Sequence, residues 1–152
     1  MSIRTVSFRS AIIAKNQVMT EYRLMTAVDI GAGLRLCRAA GWNQLERDWM
    51  AFLALNAGGS CVATQDANVV GTVTTISYAG KIGWIGMVLV DSNYQRQGIG
   101  QQLLEEALGL LRDIETVKLD ATPAGREVYL KLGFKDEYRL SRMIADGALN
   151  LT

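Results

Sequence analysis

The segment Gln95-Arg96-Gln97-Gly98-Ile99-Gly100 lies between an apolar run and an amphipathic one, and residues in that order can hold an anion. Where a strand feeds a helix, successive backbone N–H groups converge and the helix dipole adds partial positive charge. A phosphate is then seated without a metal. Gly98 and Gly100 carry no Cβ, which lets a diphosphate approach the main chain. A tight helix entry explains the same glycines, and the turn alone does not separate the two readings. Two rival phosphate patterns fail. Gly100 is followed by Gln101 rather than the Lys-Ser/Thr of a P-loop, and Leu103 stands where a dinucleotide fingerprint wants Gly or Ala.

Other chemistry is bounded by what the chain lacks. It has no histidine, and its two cysteines, Cys37 and Cys61, are not in metal-ligand spacing. His-based triads and Cys/His zinc sites are thereby excluded, and no metal is expected. Both cysteines read as buried free thiols in a reducing compartment, which points to the cytoplasm.

The elements that must position the glycine turn follow from periodicity. Glu21 to Ala27 reads as a strand and Val28 to Ala40 as a helix with Ile30, Leu34 and Cys37 on one face. Asn43 opens a second helix, with Glu46 three positions on as a capping-box partner and Trp49, Met50, Leu53 and Ala54 on its apolar side. Ser60 to Gln65, Val69 to Ala79 and Ile82 to Val90 read as an antiparallel meander. Gly98 to Asp113 is a strongly amphipathic helix, Val117 to Ala121 a short strand, Pro123 to Leu132 a helix, and Phe134 to Ile144 a final strand. The crossover through Gly98 to Asp113 predicts parallel neighbours on either side of it. The fold class is α/β: a mixed, mostly antiparallel central sheet flanked by helices, with one parallel strand pair beside the glycine turn.

At 152 residues, 49% hydrophobic and 20% charged, residues 19–152 suit one compact domain. A formal net charge of +1 gives no global field for nucleic acid or an anionic membrane, so neither is an expected partner. Residues 1–18 form an extension with Arg4, Arg9 and Lys15 among serines and threonines and no acid. A transit-peptide composition and a start-site extension ahead of Met19 both fit it. Val6, Phe8, Ile12 and Ile13 in this stretch could also supply an edge strand, within the chain or to a homodimer partner.

The pattern Gln95-x-x-Gly98-x-Gly100, preceded by Met87-Val88-Leu89-Val90 and followed by Tyr129-Leu130-Lys131-Leu132-Gly133-Phe134, resembles the GNAT N-acetyltransferase superfamily over about Tyr22 to Phe134. The resemblance implies acetyl-CoA as co-substrate and direct acetyl transfer to an amine acceptor, a small molecule or a protein amino group. It implies that main-chain N–H groups of Gln95, Arg96, Gln97, Gly98, Ile99, Gly100 and Gln101 hold the coenzyme pyrophosphate. Val88 and Val90 would bind the acetyl carbonyl and the pantetheine arm, and an N–H aimed at the thioester oxygen would stabilise charge developing there. Tyr129 occupies the position of the family's common general acid, and a tyrosine packed at a helix end is the other reading.

Departures from the family pattern leave further alternatives open. Trp84 stands where several family members place a glutamate base, so the amine proton leaves by water or by another carboxylate. Glu46 and Asp48, near the start of the second helix, are the candidates, against their plainer uses as a helix cap and a solvated charge. Trp42, Asn43 and Trp84 are candidates for an acceptor pocket, with core packing the alternative for the tryptophans. The family's cofactor-binding asparagine is Thr122 here. From a different class, a non-catalytic acyl-CoA-binding or regulatory module also fits a chain without the glutamate. Leu119 to Arg126 resembles one GNAT subgroup whose longer members carry a second domain.

Overall fold

The structure, a computed structural model, describes residues 19–141 and Met143. The extension 1–18, with the strand expected around Val6 to Ile13, lies outside the described residues. The backbone forms two compact units, one ending at Leu119 and the other starting at Asp120.

The first unit is built on a sheet of five strands in the order β1 (Glu21–Leu24), β2 (Ser60–Gln65), β3 (Asn68–Tyr78), β4 (Ile82–Val90) and β5 (Thr116–Leu119). The first four pair antiparallel and β4 pairs β5 in parallel, as the sequence pattern predicts. Asp66 and Ala67, at φ 47° and 63°, close the β2–β3 hairpin with the left-handed backbone that matches strand twist. Two helices, α1 (Ile30–Ala39) and α2 (Glu46–Leu55), precede β2, and α3 (Ile99–Leu110) makes the crossover from β4 to β5.

Strand alternation sorts these helices. Gly83 faces α3, where a Cβ would come within 2.9 Å of Leu111, and Gly71 likewise lies under Leu103 and Ile99. Leu103, Leu104, Ala107 and Leu111 are buried on that face. Each large apolar side chain buried this way contributes about 1.5–3 kcal/mol. Val62, Val69 and Leu89 form the other core with Ile30, Leu36 and Cys37 of α1 and Trp49 of α2. Covered on both faces, β2 is buried throughout.

One start site differs from expectation. The second helix begins at Glu46, not Asn43, because the Asp48 carboxylate accepts the Leu45 N–H at 2.7 Å and makes Leu45 the N-cap. Glu46 is therefore a first-turn charge rather than the capping partner.

The second unit holds α4 (Pro123–Lys131), opened by Thr122, whose hydroxyl accepts from the Gly125 N–H at 3.2 Å. The strand expected over Phe134 to Ile144 is not formed at residues 134–141 or at Met143. Phe134 is instead part of the helix stop, and Asp136 is tied back to α4 through Arg126 Nε at 2.9 Å.

Candidate functional site

The parallel ladder between β4 and β5 stops at Ile85–Leu119, while β4 runs on to Val90. From Gly86 onward, main-chain groups of β4 turned away from β3 have no β5 partner, so a ligand can pair with them as a strand would. A bulge lies in the same stretch. Gly86 pairs with Thr74 and Leu89 with Thr72, which leaves Met87 and Val88 together opposite Val73. Met87 has φ 50°, and its carbonyl accepts the Thr72 hydroxyl at 2.8 Å. The extra residue reverses the alternation, so Leu89 enters the α1/α2 core and Val90 turns towards Gly100.

The chain next enters the glycine turn, which is held by side chains. Asp91 Oδ1 accepts the Asn93 N–H at 3.0 Å, and the Asp91 N–H donates to Val70 O at 2.8 Å. Arg35 of α1 donates to Asp91 Oδ2 at 2.9 Å and to Val69 O at 2.8 Å. Gln95 Nε2 donates to Val90 O at 3.2 Å, closing the turn onto the end of β4.

Arg96 and Gly98 are both left-handed, at φ 59° and 80°, and Gly98 is the N-cap of α3. The Gln102 N–H donates to Gly98 O at 3.0 Å, so the N–H groups of Ile99, Gly100 and Gln101 precede the first bond of the helix and have no carbonyl within it. Arg96, Gln97 and Gly98 are exposed, and the Gln101 side chain is bound along the helix to Glu105 at 2.9 Å. The turn thus offers main chain outward. A Cβ at Gly100 would meet only Val90 Cγ2, at 3.6 Å, so the flank of the turn is open. N–H groups without an intrahelical partner at a helix start, beside a strand end that has no β5 partner among the described residues, fit a diphosphate followed by an extended arm.

Trp84 projects from the face opposite Gly83 and, with Tyr78, Ile82 and Lys118, lines an open hollow of about 370 Å³. Trp42 is placed differently, packed half-buried against the α1/α2 core with Met87. Asn43 and Glu46 are exposed on the loop and first turn that follow.

In the second unit the motif Tyr129-x-x-x-Gly133-Phe134 has a local explanation. Gly133, at φ 90°, donates to Leu130 O at 3.1 Å and Phe134 to Tyr129 O at 3.1 Å, the paired bonds of a Schellman stop. The Phe134 ring meets the Tyr129 ring edge-on at 6.2 Å. The Tyr129 hydroxyl lies over Gly125, where a Cβ would come within 2.7 Å of it, and takes no hydrogen bond among the described residues. Burial pushes the Tyr129 phenol up, so it is protonated at neutral pH.

Sequence reasoning found the turn and its flanks but missed Asp91, Arg35 and Thr72. Asp91-Ser92-Asn93 carries a readable signal, since an aspartate two residues before an N–H it can accept marks a turn. Arg35 and Thr72 act across long chain separations and leave no local pattern.

Residues 56–136, over half of the chain, match the acetyltransferase (GNAT) domain family. An uncharacterized N-acetyltransferase of Bacillus subtilis, YitH, is 27% identical over 101 residues, which are 66% of this chain and 36% of that protein. A Pyrococcus horikoshii structure assigned as an acetyltransferase superposes with TM-score 0.72 at 26% identity, over 91% of this chain and 48% of that one. The chain therefore spans about a third of the one relative and half of the other. A Clostridium acetobutylicum acetyltransferase structure that contains acetyl-CoA matches in fold, with TM-score 0.66 at 18% identity, over 83% of this chain and 96% of that one.

Proposed function

The chain belongs to the GNAT acetyltransferase family, and from that premise we propose that it moves an acetyl group from acetyl-CoA directly to a primary amine within a ternary complex. The observation that carries this reading is the end of β4 beyond Ile85, without a β5 partner among the described residues, running into the N–H groups that precede the first bond of α3 at the Gly98 turn. The acetyl-CoA held by the Clostridium protein and the N-acetyltransferase name of the Bacillus relative support it.

Acetyl-CoA, when bound, supplies an acetyl group activated as a thioester. Main-chain N–H groups from Gln95 to Gln101 hold the pyrophosphate by charge and by hydrogen bonds, with no metal required. Main-chain groups of Val88 and Val90 pair with the pantetheine arm, and an N–H there faces the thioester oxygen as charge develops on it. The amine lone pair forms the new N–C bond while the C–S bond breaks. The amine gives up one proton and the departing sulfur takes one.

Tyr129 is the proposed donor to sulfur, supported by its motif and by a hydroxyl that its helix end leaves unused. Since β4 carries no Asp or Glu, the amine proton leaves to solvent or, through a water, to Glu46. The hollow beside Trp84 is the proposed acceptor pocket, its aromatic wall suited to the apolar body of an amine; Trp42 and Asn43 are not among the residues that line it. In this reading residues 19–152 act as one catalytic domain.

The test is a panel of small amines, amino acids and peptides incubated with acetyl-CoA while free thiol is followed. The chain's own cysteines are buried and do not interfere, the Cys61 thiol being pushed up to about 11 chiefly by burial. Thiol release that depends on the acceptor, with acetylated amine in equal amount, is the expected result. Tight acetyl-CoA binding without turnover on any amine would replace the enzyme with a non-catalytic acyl-CoA-binding module.

A further inference from the structure

In β4 the peptide between Met87 and Val88 has a fixed orientation, and the group that fixes it belongs to the neighbouring strand. The Met87 carbonyl accepts the Thr72 Oγ1–H at 2.8 Å. A trans peptide is planar, with C=O and N–H pointing in opposite directions. The structure has no cis peptide bonds among its described residues. With the carbonyl held by Thr72, the Val88 N–H points away from Thr72, towards the side of β4 where the β5 ladder has already ended.

This arrangement is held against a local preference. Met87 at φ 50° is in the left-handed region, which a non-glycine residue adopts only at a cost. A side-chain hydrogen bond inside the core offsets much of that, since Thr72 is fully buried and no water competes for its hydroxyl. Thr72 also faces the α1/α2 core beside Leu89, so its methyl is packed and its rotamer restricted. Neither residue had a role assigned to it by the glycine turn or by the Tyr129 motif.

We propose that Thr72 is a positioning residue for acetyl transfer: by binding the Met87 carbonyl, it aims the Val88 N–H into the open edge of β4, where the thioester oxygen is to be held. This inference rests on the proposed function. It adds that the geometry of the Val88 donor is set by a hydroxyl on β3. Donor geometry matters more as charge develops on the oxygen than in the ground state, so the loss falls on kcat rather than on coenzyme affinity.

Thr72→Val keeps the shape and removes the hydroxyl, and Thr72→Ser keeps the hydroxyl and removes the methyl. Thr72→Val is expected to lower kcat by about ten- to a hundred-fold, with the affinity for desacetyl coenzyme A within about two-fold of wild type. Thr72→Ser is expected to recover most of the turnover. In amide NMR spectra of the unliganded protein, Met87 and Val88 resonances should move in Thr72→Val and stay near wild type in Thr72→Ser. Unmoved Val88 resonances in Thr72→Val overturn the positioning role whether or not an acceptor is found. Equal kcat losses in both variants, at unchanged melting temperature, also overturn it and assign the effect to packing. Absence of wild-type turnover on every amine counts against the proposed function instead, and the spectra still decide the role of Thr72.

Discussion

Tyr129 is used by the helix that carries it: its main-chain carbonyl accepts the Schellman bond from Phe134, and its ring and the Phe134 ring meet in an edge arrangement. The hydroxyl takes part in neither contact, which makes Tyr129→Phe a clean subtraction. The variant keeps the cap and the ring contact, so its melting temperature should stay near wild type. With burial raising its pKa above the usual 10, the phenol remains a proton donor throughout the neutral range. If it protonates the departing sulfur, turnover near neutral pH and saturating acceptor should fall about a hundred-fold or more, with little change in acetyl-CoA affinity. Wild-type turnover in the phenylalanine variant would remove the hydroxyl from the mechanism and leave the motif as a helix stop. At Glu46 the structure removes the capping role that the sequence spacing offered, because Asp48 performs it.

Among the elements, Asp29 joins β1 to the start of α1. Its carboxylate accepts from Arg23 Nη1 and Nη2 at 2.9 and 2.8 Å and from the Thr26 N–H at 2.8 Å. These bonds, the Arg23 pair foremost, hold the Asp29 carboxyl below the usual range against the opposing effect of burial. A depressed folded pKa contributes stability that is present above the unfolded value of about 3.9 and is lost as pH falls through the folded value. Urea midpoints of the wild type should therefore drop below about pH 4, while Asp29→Asn, weaker at pH 7 by about 1–2 kcal/mol, should show a shallower drop. Parallel pH profiles for the two proteins would contradict this assignment. Most elements were legible in the sequence because their signals are local: alternation over Ser60 to Gln65 and Ile82 to Val90, and the apolar stripe from Leu103 to Leu111. What was not legible depends on distant partners. The bulge at Met87 places a methionine in a glycine-like conformation through a hydroxyl on β3, and no window of β4 records that. The final strand failed for the converse reason, as Phe134 has strand propensity but is captured by the Gly133 stop. In the candidate site the glycine turn and its flanking strand could be read from residue order, whereas the Arg35–Asp91 clamp that holds the turn could not.

For the whole molecule, a net charge of +1 supplies almost no long-range attraction for a polyanion, so the proposed binding of acetyl-CoA rests on the local geometry of the Gly98 turn. Among the described residues no helix is long and apolar enough to cross a membrane. The relatives YitH and the Pyrococcus protein are longer than this chain. Gly100 gives the sharpest access to the Gly98 turn. A Cβ there makes only an ordinary contact with Val90, and a carboxylate in the first turn of α3 favours the helix, so Gly100→Asp should fold as well as wild type. The same carboxylate would stand where the pyrophosphate is held. Calorimetric titration of acetyl-CoA into both proteins, each checked for its melting temperature, is the most direct measurement. The account predicts saturable binding by the wild type and affinity at least about ten-fold weaker, a loss of about 1.4 kcal/mol, in Gly100→Asp. Equal affinity in the two folded proteins, or no binding by the wild type, would contradict it.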